Sequence, residues 1–301
     1  MTQPARVQIV EVSPRDGLQA EARTLSTETK LELLDRLADA GHTAIEATSF
    51  VSPAAVPQLA DADDLLKRLR RRPGVRYPVL VPNERGLERA VAAGADEIAV
   101  FVSASESYSL KNLRRGKDEA LATACAVVKL AIARGLRVRG YISMVIADPD
   151  DGPTDPAAVV ETGRALLAAG CAEISLGDTI GIGTPAHVRR LLDALRGDGI
   201  GLDRLAVHFH DTYGQGLANV LTAIEQGVTV VDASVGGIGG SPFAKSRGAS
   251  GNLATEDVVW MLDGMGIDTG VDVQKLASIA NWMATQLGRE LPGRAARALF
   301  S

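Results

Sequence analysis

Residues 205–234 read LAVHFHDTYGQGLANVLTAIEQGVTVVDAS, and they contain the repeating unit of the whole chain. Leu205, Val207 and Phe209 alternate with Ala206, His208 and His210, as the two faces of a strand do. Gln215 to Gln226 then places apolar residues at helical spacing, Gly227 stands where that helix hands over, and Val228 to Ser234 is again rich in Val. Strand, helix and strand joined by short turns specify a βαβ unit, in which a crossover helix covers two parallel strands.

The same alternation extends in both directions. Strands are expected at Val7–Val12, Ala44–Thr48, Arg76–Val81, Glu97–Val102, Arg137–Met144, Glu173–Leu176, Leu205–His210 and Val228–Ser234. Between and after them the spacing predicts helices over Thr27–Ala40, Val56–Arg72, Glu84–Ala93, Glu106–Arg134, Asp155–Ala169, Pro185–Arg196, Gln215–Gln226 and Thr255–Leu262. Gly41, Gly94, Gly135, Gly170 and Gly227 fall at helix-to-strand handovers, where a left-handed cap is needed. Eight βα units with no glycine-rich dinucleotide-binding turn after the first strand favour a closed (β/α)8 TIM barrel over an open doubly wound sheet. Asp272–Leu287 reads as one more helix, so the expectation is a single catalytic domain over 1–301. Its barrel covers about 7–264, its C-terminal helical extension covers about 272–290, and residues 291–301 carry no clear structural signal.

Composition narrows the function classes. At 46% hydrophobic and 23% charged residues the chain has the make-up of a packed globule, which excludes disorder and low-complexity readings. A formal charge of −5 and the lack of a basic arm argue against nucleic acid as a partner. The two cysteines, Cys125 and Cys171, cannot build a disulfide framework and sit in apolar runs, as in a reducing compartment. No secretory signal and no 18-residue apolar run is present, so the default expectation is a cytoplasmic chain with no membrane partner.

In a TIM barrel the chemistry lies at the C-terminal strand ends, and polar residues cluster there. His208 and His210 point to one side of their strand, and Asp16 arrives from the end of the first strand. Two imidazoles, this carboxylate and the amide oxygen of Asn252 form an N/O donor set suited to Mg2+ or Mn2+; the alternative is a strand end with satisfied polar side chains. Arg15 can stabilise a carbonyl that becomes an enolate, or it is a surface arginine paired with an acid. Glu46 lies inside a predicted barrel strand, where an ionised carboxylate needs a partner: it pairs with Arg15 or takes part in acid–base chemistry. Asp178 reads the same way, or as a helix cap. The long glycine-rich segment from Gly236 to Asn252 has the length of a lid. The basic clusters Lys67–Arg72 and Lys111–Lys117 are solvated helix faces, the second also able to meet the phosphates of a large anionic substrate.

Five stretches taken together carry a resemblance: Glu11-Val-Ser-Pro-Arg-Asp-Gly-Leu-Gln19, Glu46-Ala-Thr-Ser-Phe-Val-Ser-Pro53, Ile174-Ser-Leu-Gly-Asp-Thr179, Val207-His-Phe-His-Asp-Thr-Tyr-Gly-Gln215 and Gly248-Ala-Ser-Gly-Asn-Leu-Ala-Thr-Glu-Asp257. The chain resembles the 3-hydroxy-3-methylglutaryl-CoA lyase family of metal-dependent TIM-barrel lyases and Claisen-type synthases, from about Val7 to Leu287. That resemblance implies an acyl-CoA substrate and a divalent cation held by Asp16, His208, His210 and Asn252. It also implies that Arg15 polarises the thioester carbonyl while Glu46 and Asp178 orient groups around it. Gln19, Ser49 and Thr179 are then substrate-binding candidates, Lys111 and Arg114 are candidates for CoA phosphates, and a homo-oligomer is expected by analogy.

One departure stands out. The family's loop after the eighth strand carries Gly-Gly-Cys-Pro, whose cysteine serves in proton transfer, and here Gly239-Gly240-Ser241-Pro242 takes its place. A hydroxyl is a far weaker acid than a thiol of pKa about 8.5, so Ser241 needs help or His208 carries the proton. The loop after the fifth strand, from Tyr141 to Pro149, also lacks the family's thiol. The competing substrates are citramalyl-CoA and longer 3-substituted glutaryl-CoA. The competing classes are a Claisen-type synthase, which usually carries a further regulatory domain, and a metal- and CoA-binding paralogue without turnover.

Overall fold

In the computed structural model, which describes residues 3–240 and 251–300, eight parallel strands stand around a common interior. They are β1 (Gln8–Glu11), β2 (Thr48–Ser49), β3 (Val79–Leu80), β4 (Glu97–Ser103), β5 (Arg137–Ser143), β8 (Glu173–Asp178), β9 (Leu205–Phe209) and β10 (Val230–Ala233), and a small antiparallel hairpin of β6 (Ala147–Asp148) and β7 (Gly152–Pro153) follows β5. The ladder runs β1-β10-β9-β8-β5-β4-β3-β2. It closes through a parallel bridge between Glu11 and Ile45, where Glu11 N donates to Ala44 O at 3.0 Å and Glu46 N to Glu11 O at 2.8 Å. Closure leaves the eight-stranded barrel without an edge in need of protection.

The outer wall is α1 (Thr27–Asp39), α2 (Ala62–Arg68), α3 (Glu84–Ala92), α4 (Glu106–Leu113), α5 (Lys117–Ala133), α6 (Pro156–Ala169), α7 (Pro185–Gly197), α8 (Gly216–Gln226) and α9 (Thr255–Gly264), followed by α10 (Val273–Leu287) and α11 (Arg294–Leu299). One face of each strand meets these helices: Ile9, Val100, Ile142, Leu176, Val207 and Val231 share a single core with Leu33, Val128, Leu191 and Val220. The other face points inward, where Val10, Val12, Ala44, Ala206 and Val230 form one cluster and Leu80, Ala99 and Tyr141 another. The five handover glycines all have positive φ. At Gly41 (φ +107°) the need is also steric, because a side chain there would run into the carbonyl of Gly270.

Three expectations change. The predicted helix Glu106–Arg134 is two helices, since Arg114 turns left-handed (φ 55°) and Gly116 caps the next one, while the Glu106 carboxylate accepts Lys117 N at 2.8 Å. Val56–Arg72 shrinks to a single turn at Pro57–Leu59 followed by α2. The tail is structured: the Asp257 carboxylate accepts the amides of Arg294 and Ala295 at 2.9 and 2.6 Å and starts α11, which buries Ala296. That cap, worth about 1 kcal/mol in general, lies 37 residues away in sequence and leaves no local signal. Among the described residues no helix is long and apolar enough to cross a membrane.

Candidate metal and acyl-transfer site

The inward face of β9 carries Ala206 and His208, and the backbone continues far enough for His210 to follow them. The two Nε2 atoms lie 3.2 Å apart in a buried position. Asp16 reaches them from a π-helical turn, Ser13–Gly17, in which the single carbonyl of Val12 accepts the amides of Arg15, Asp16 and Gly17 at 3.2, 2.8 and 3.1 Å. Such widened turns recur at functional sites because they aim side chains a regular helix cannot. Glu11 anchors this turn: one carboxylate oxygen accepts Ser13 N at 2.9 Å and Val235 N at 3.0 Å, and the other accepts the Thr255 hydroxyl at 2.7 Å. It thereby ties the turn to the base of the loop after β10.

Asp16, His208 and His210 each offer one ligand atom within 4.8 Å of the others. Burial and the neighbouring His208 hold His210 down at about 4, so its ring is neutral with a lone pair to offer. Burial alone would raise Asp16, yet Arg15 and the two histidines bring it down to about 2. A carboxylate and two imidazoles suit a hard or borderline divalent cation, and the buried Nδ1 of His210 has no hydrogen-bond partner. The residues fit a metal ion.

Asn252 lies beside the cluster. Its amide nitrogen donates to Asp16 Oδ2 at 2.7 Å and to Ile238 O at 3.1 Å, so it presents NH2 rather than oxygen to the site. The cause is that both neighbours are acceptors.

Arg15 is buried and doubly held, Nε donating to Glu46 Oε2 and Nη1 to Asp16 Oδ1, each at 2.7 Å, with its guanidinium 5.4 Å from the centre of the Tyr141 ring. Glu46 therefore meets the partner expected of it, while its Oε1 is buried without one. Gln19 donates to Asp16 Oδ1 at 2.7 Å and belongs to the same group.

The remaining candidates make other contacts. Asp178 lies on the helix-facing side of β8 with Leu176, because the strand runs two residues beyond its predicted end and keeps its alternation. It accepts Gly183 N at 2.7 Å, and burial pushes it up to about 6. It holds the turn that leads into α7, whose own N-cap is Thr184. The Ser49 hydroxyl accepts Val51 N at 3.3 Å, and Thr179 accepts Met144 N at 3.0 Å, so both secure loops. Lys111 is exposed and paired with Asp150 at 2.5 Å, and Arg114 is the exposed left-handed residue after α4. Ser241 lies outside the described residues.

Sequence reasoning missed a layer beneath the histidines. Asp232, Arg139, Glu173 and Ser175 are buried inside the barrel, Arg139 donating to Asp232 at 2.6 Å and to the Tyr141 hydroxyl at 3.0 Å and lying 2.8 Å from Glu173. The criterion that singled out Glu46, an ionisable residue within a barrel strand, also applies to Asp232, Arg139 and Glu173.

With this geometry, the match of residues 6–283 to the HMGL-like family model is decisive. The chain belongs to the HMGL-like family. Among curated HMGL-like relatives, the mitochondrial hydroxymethylglutaryl-CoA lyase of Pongo abelii is 50% identical over 297 residues, 99% of this chain and 90% of that protein. The Bacillus subtilis HMG-CoA lyase structure superposes with a TM-score of 0.97 at 43% identity, covering 100% of both chains. The Acinetobacter baumannii enzyme, solved with coenzyme A and 3-methylmalate, gives 0.93 at 36% identity and covers 99% of this chain and 97% of its own. The curated HMGL-like relatives matched here, from Pongo abelii to Arabidopsis thaliana and Gallus gallus, are mitochondrial enzymes by name, and this overturns the expectation of a cytoplasmic chain.

Proposed function

We propose that this protein is a divalent-metal-dependent carbon–carbon lyase that cleaves 3-hydroxy-3-methylglutaryl-CoA, or a related 3-hydroxyacyl-CoA, to acetyl-CoA and a keto acid. The observation that carries the reading is the convergence of Asp16, His208 and His210 beside the Arg15–Glu46 pair at one end of the barrel. Asp16, His208 and His210 would hold Mg2+ or Mn2+, with Asn252 at their edge. When bound, such an ion supplies Lewis-acid polarisation of substrate hydroxyl and carboxylate oxygens.

The chain's own residues do the rest. Arg15, kept charged despite burial by Glu46 and Asp16, donates hydrogen bonds to the thioester oxygen and stabilises the enolate as the carbon–carbon bond breaks. Glu46 and the Tyr141 ring fix the guanidinium plane, so little reorganisation is needed during reaction. Gln19 steadies Asp16. Lys111 and Arg114, both exposed, would meet CoA phosphates, Lys111 by exchanging Asp150 for phosphate. Ser241 is the proton-transfer candidate, standing where the resembled family has its cysteine.

A second reading, a lyase for citramalyl-CoA or a longer 3-substituted glutaryl-CoA, is favoured by the Acinetobacter relative's bound 3-methylmalate together with the serine at position 241. The test measures acetyl-CoA release with Mg2+ or Mn2+ from both classes of ester, for the parent and Ser241→Cys. Metal-dependent release from 3-hydroxy-3-methylglutaryl-CoA is expected, with faster turnover by the cysteine variant. Release from citramalyl-CoA alone supports the second reading, and no release from any ester overturns both.

A further inference from the structure

Behind His208, on the side away from Asp16 and His210, lies the carboxylate of Asp232, fully buried on the inward face of β10. Its Oδ1 accepts Arg139 Nη2 at 2.6 Å, its Oδ2 accepts the Ser175 hydroxyl at 2.8 Å, and the same Oδ2 stands 3.3 Å from His208 Nδ1. The ring nitrogen makes no aligned hydrogen bond at that distance, but an ionised carboxylate only accepts, so its charge favours the tautomer with the proton on the nitrogen facing it. A neutral imidazole protonated at Nδ1 has its lone pair on Nε2, the atom that lies 3.2 Å from His210 Nε2 and 3.8 Å from Asp16 Oδ2.

We infer that Asp232 is a positioning residue for the metal site, fixing His208 as its Nδ1–H tautomer so that the Nε2 lone pair faces Asp16 and His210. Arg139 completes the device. It keeps the buried Asp232 ionised, and it is itself oriented by Glu173 at 2.8 Å and the Tyr141 hydroxyl at 3.0 Å. The path from Glu173 through Arg139, Asp232 and His208 draws on β8, β5, β10 and β9, so four strands set the direction of one lone pair. The inference rests on the metal reading above, and it assigns Asp232 no contact with substrate.

Nitrogen-15 NMR of the His208 ring in the metal-free full chain reads the tautomer directly, and Mn2+ titration reads the consequence. The parent is expected to show Nδ1–H. In Asp232→Asn, Arg139 claims the amide oxygen at the Oδ1 position, the NH2 at the Oδ2 position turns to His208 and to the Ser175 hydroxyl oxygen, which can accept, and the ring is driven to Nε2–H. Mn2+ affinity should then fall roughly 10- to 100-fold, the usual cost of losing a partner behind a ligating histidine. A folded variant with unchanged tautomer and affinity overturns the inference alone. Should the variant not fold, the parent decides, since Nε2–H there overturns the inference and Nδ1–H supports it. A folded parent that takes up no Mn2+ overturns the metal reading and the purpose assigned to Asp232, while its tautomer still reports the contact.

Discussion

The two ends of this barrel treat charge in opposite ways. At the N-terminal end, Glu97 Oε1 accepts Arg76 Nη1 at 2.6 Å and Arg137 Nε at 3.3 Å, and both arginines still reach water, their side chains 34% and 44% exposed. At the mouth, Glu46 Oε1, Thr48 Oγ1, Ser13 Oγ and His210 Nδ1 are buried without partners, and two imidazole nitrogens face each other. The lower end is arranged for stability at modest cost. The mouth holds polar groups out of water with their bonding incomplete, which is affordable only where a ligand will complete it.

Replacing a ligand at the mouth should have the largest effect. His210→Ala removes one of three convergent donors, so Mn2+ affinity and turnover should both fall by more than about 100-fold, beyond the cost of losing an outer partner. The fold should persist in circular dichroism, and a variant that binds Mn2+ like the parent would break the contrast between the two ends.

A smaller effect tests whether the mouth stores desolvation. Burial pushes Glu256, whose carboxylate accepts Gly236 N at 2.9 Å, up to about 8 from 4.5. Its folded pKa exceeds the unfolded one, so its contribution is complete below about 4.5 and is lost as pH rises through 8. Relative to Glu256→Gln, the parent should lose stability progressively across that window, read from thermal melts at several pH values. Parallel pH curves for the two proteins would show that this carboxyl is not penalised.

The smallest effect belongs to the other end. Glu97→Gln frees two arginines that already touch solvent, so stability should drop by only about 1 kcal/mol. Turnover should not change. A large loss of activity on this substitution would mean that the two ends are coupled.

Much of this was legible locally. Each of the five handover glycines took positive φ, and the His-x-His spacing brought both rings to one side as a strand's period requires. Asp178 shows the limit of that reasoning. A strand two residues longer than its pattern suggested carried it to the helix-facing side, since phase follows from where pairing stops and pairing depends on the neighbouring strand. Arg139 and Asp232, 93 residues apart, were each visible as charges in strands, but their partnership was not.

The order of strands and helices, the inward placement of His208 and the acidic and basic groups at strand ends were determined by sequence alone, because periodicity and capping act within a few residues. Tertiary structure alone decided which charges met. The closure at Glu11 and Ile45, the NH2 of Asn252 turned to Asp16, the cap on α11 from Asp257 and the Glu173–Arg139–Asp232–His208 path all depend on strand stagger around a closed barrel. Stagger is set by the fit of the whole ring of strands, and no local stretch of sequence contains it.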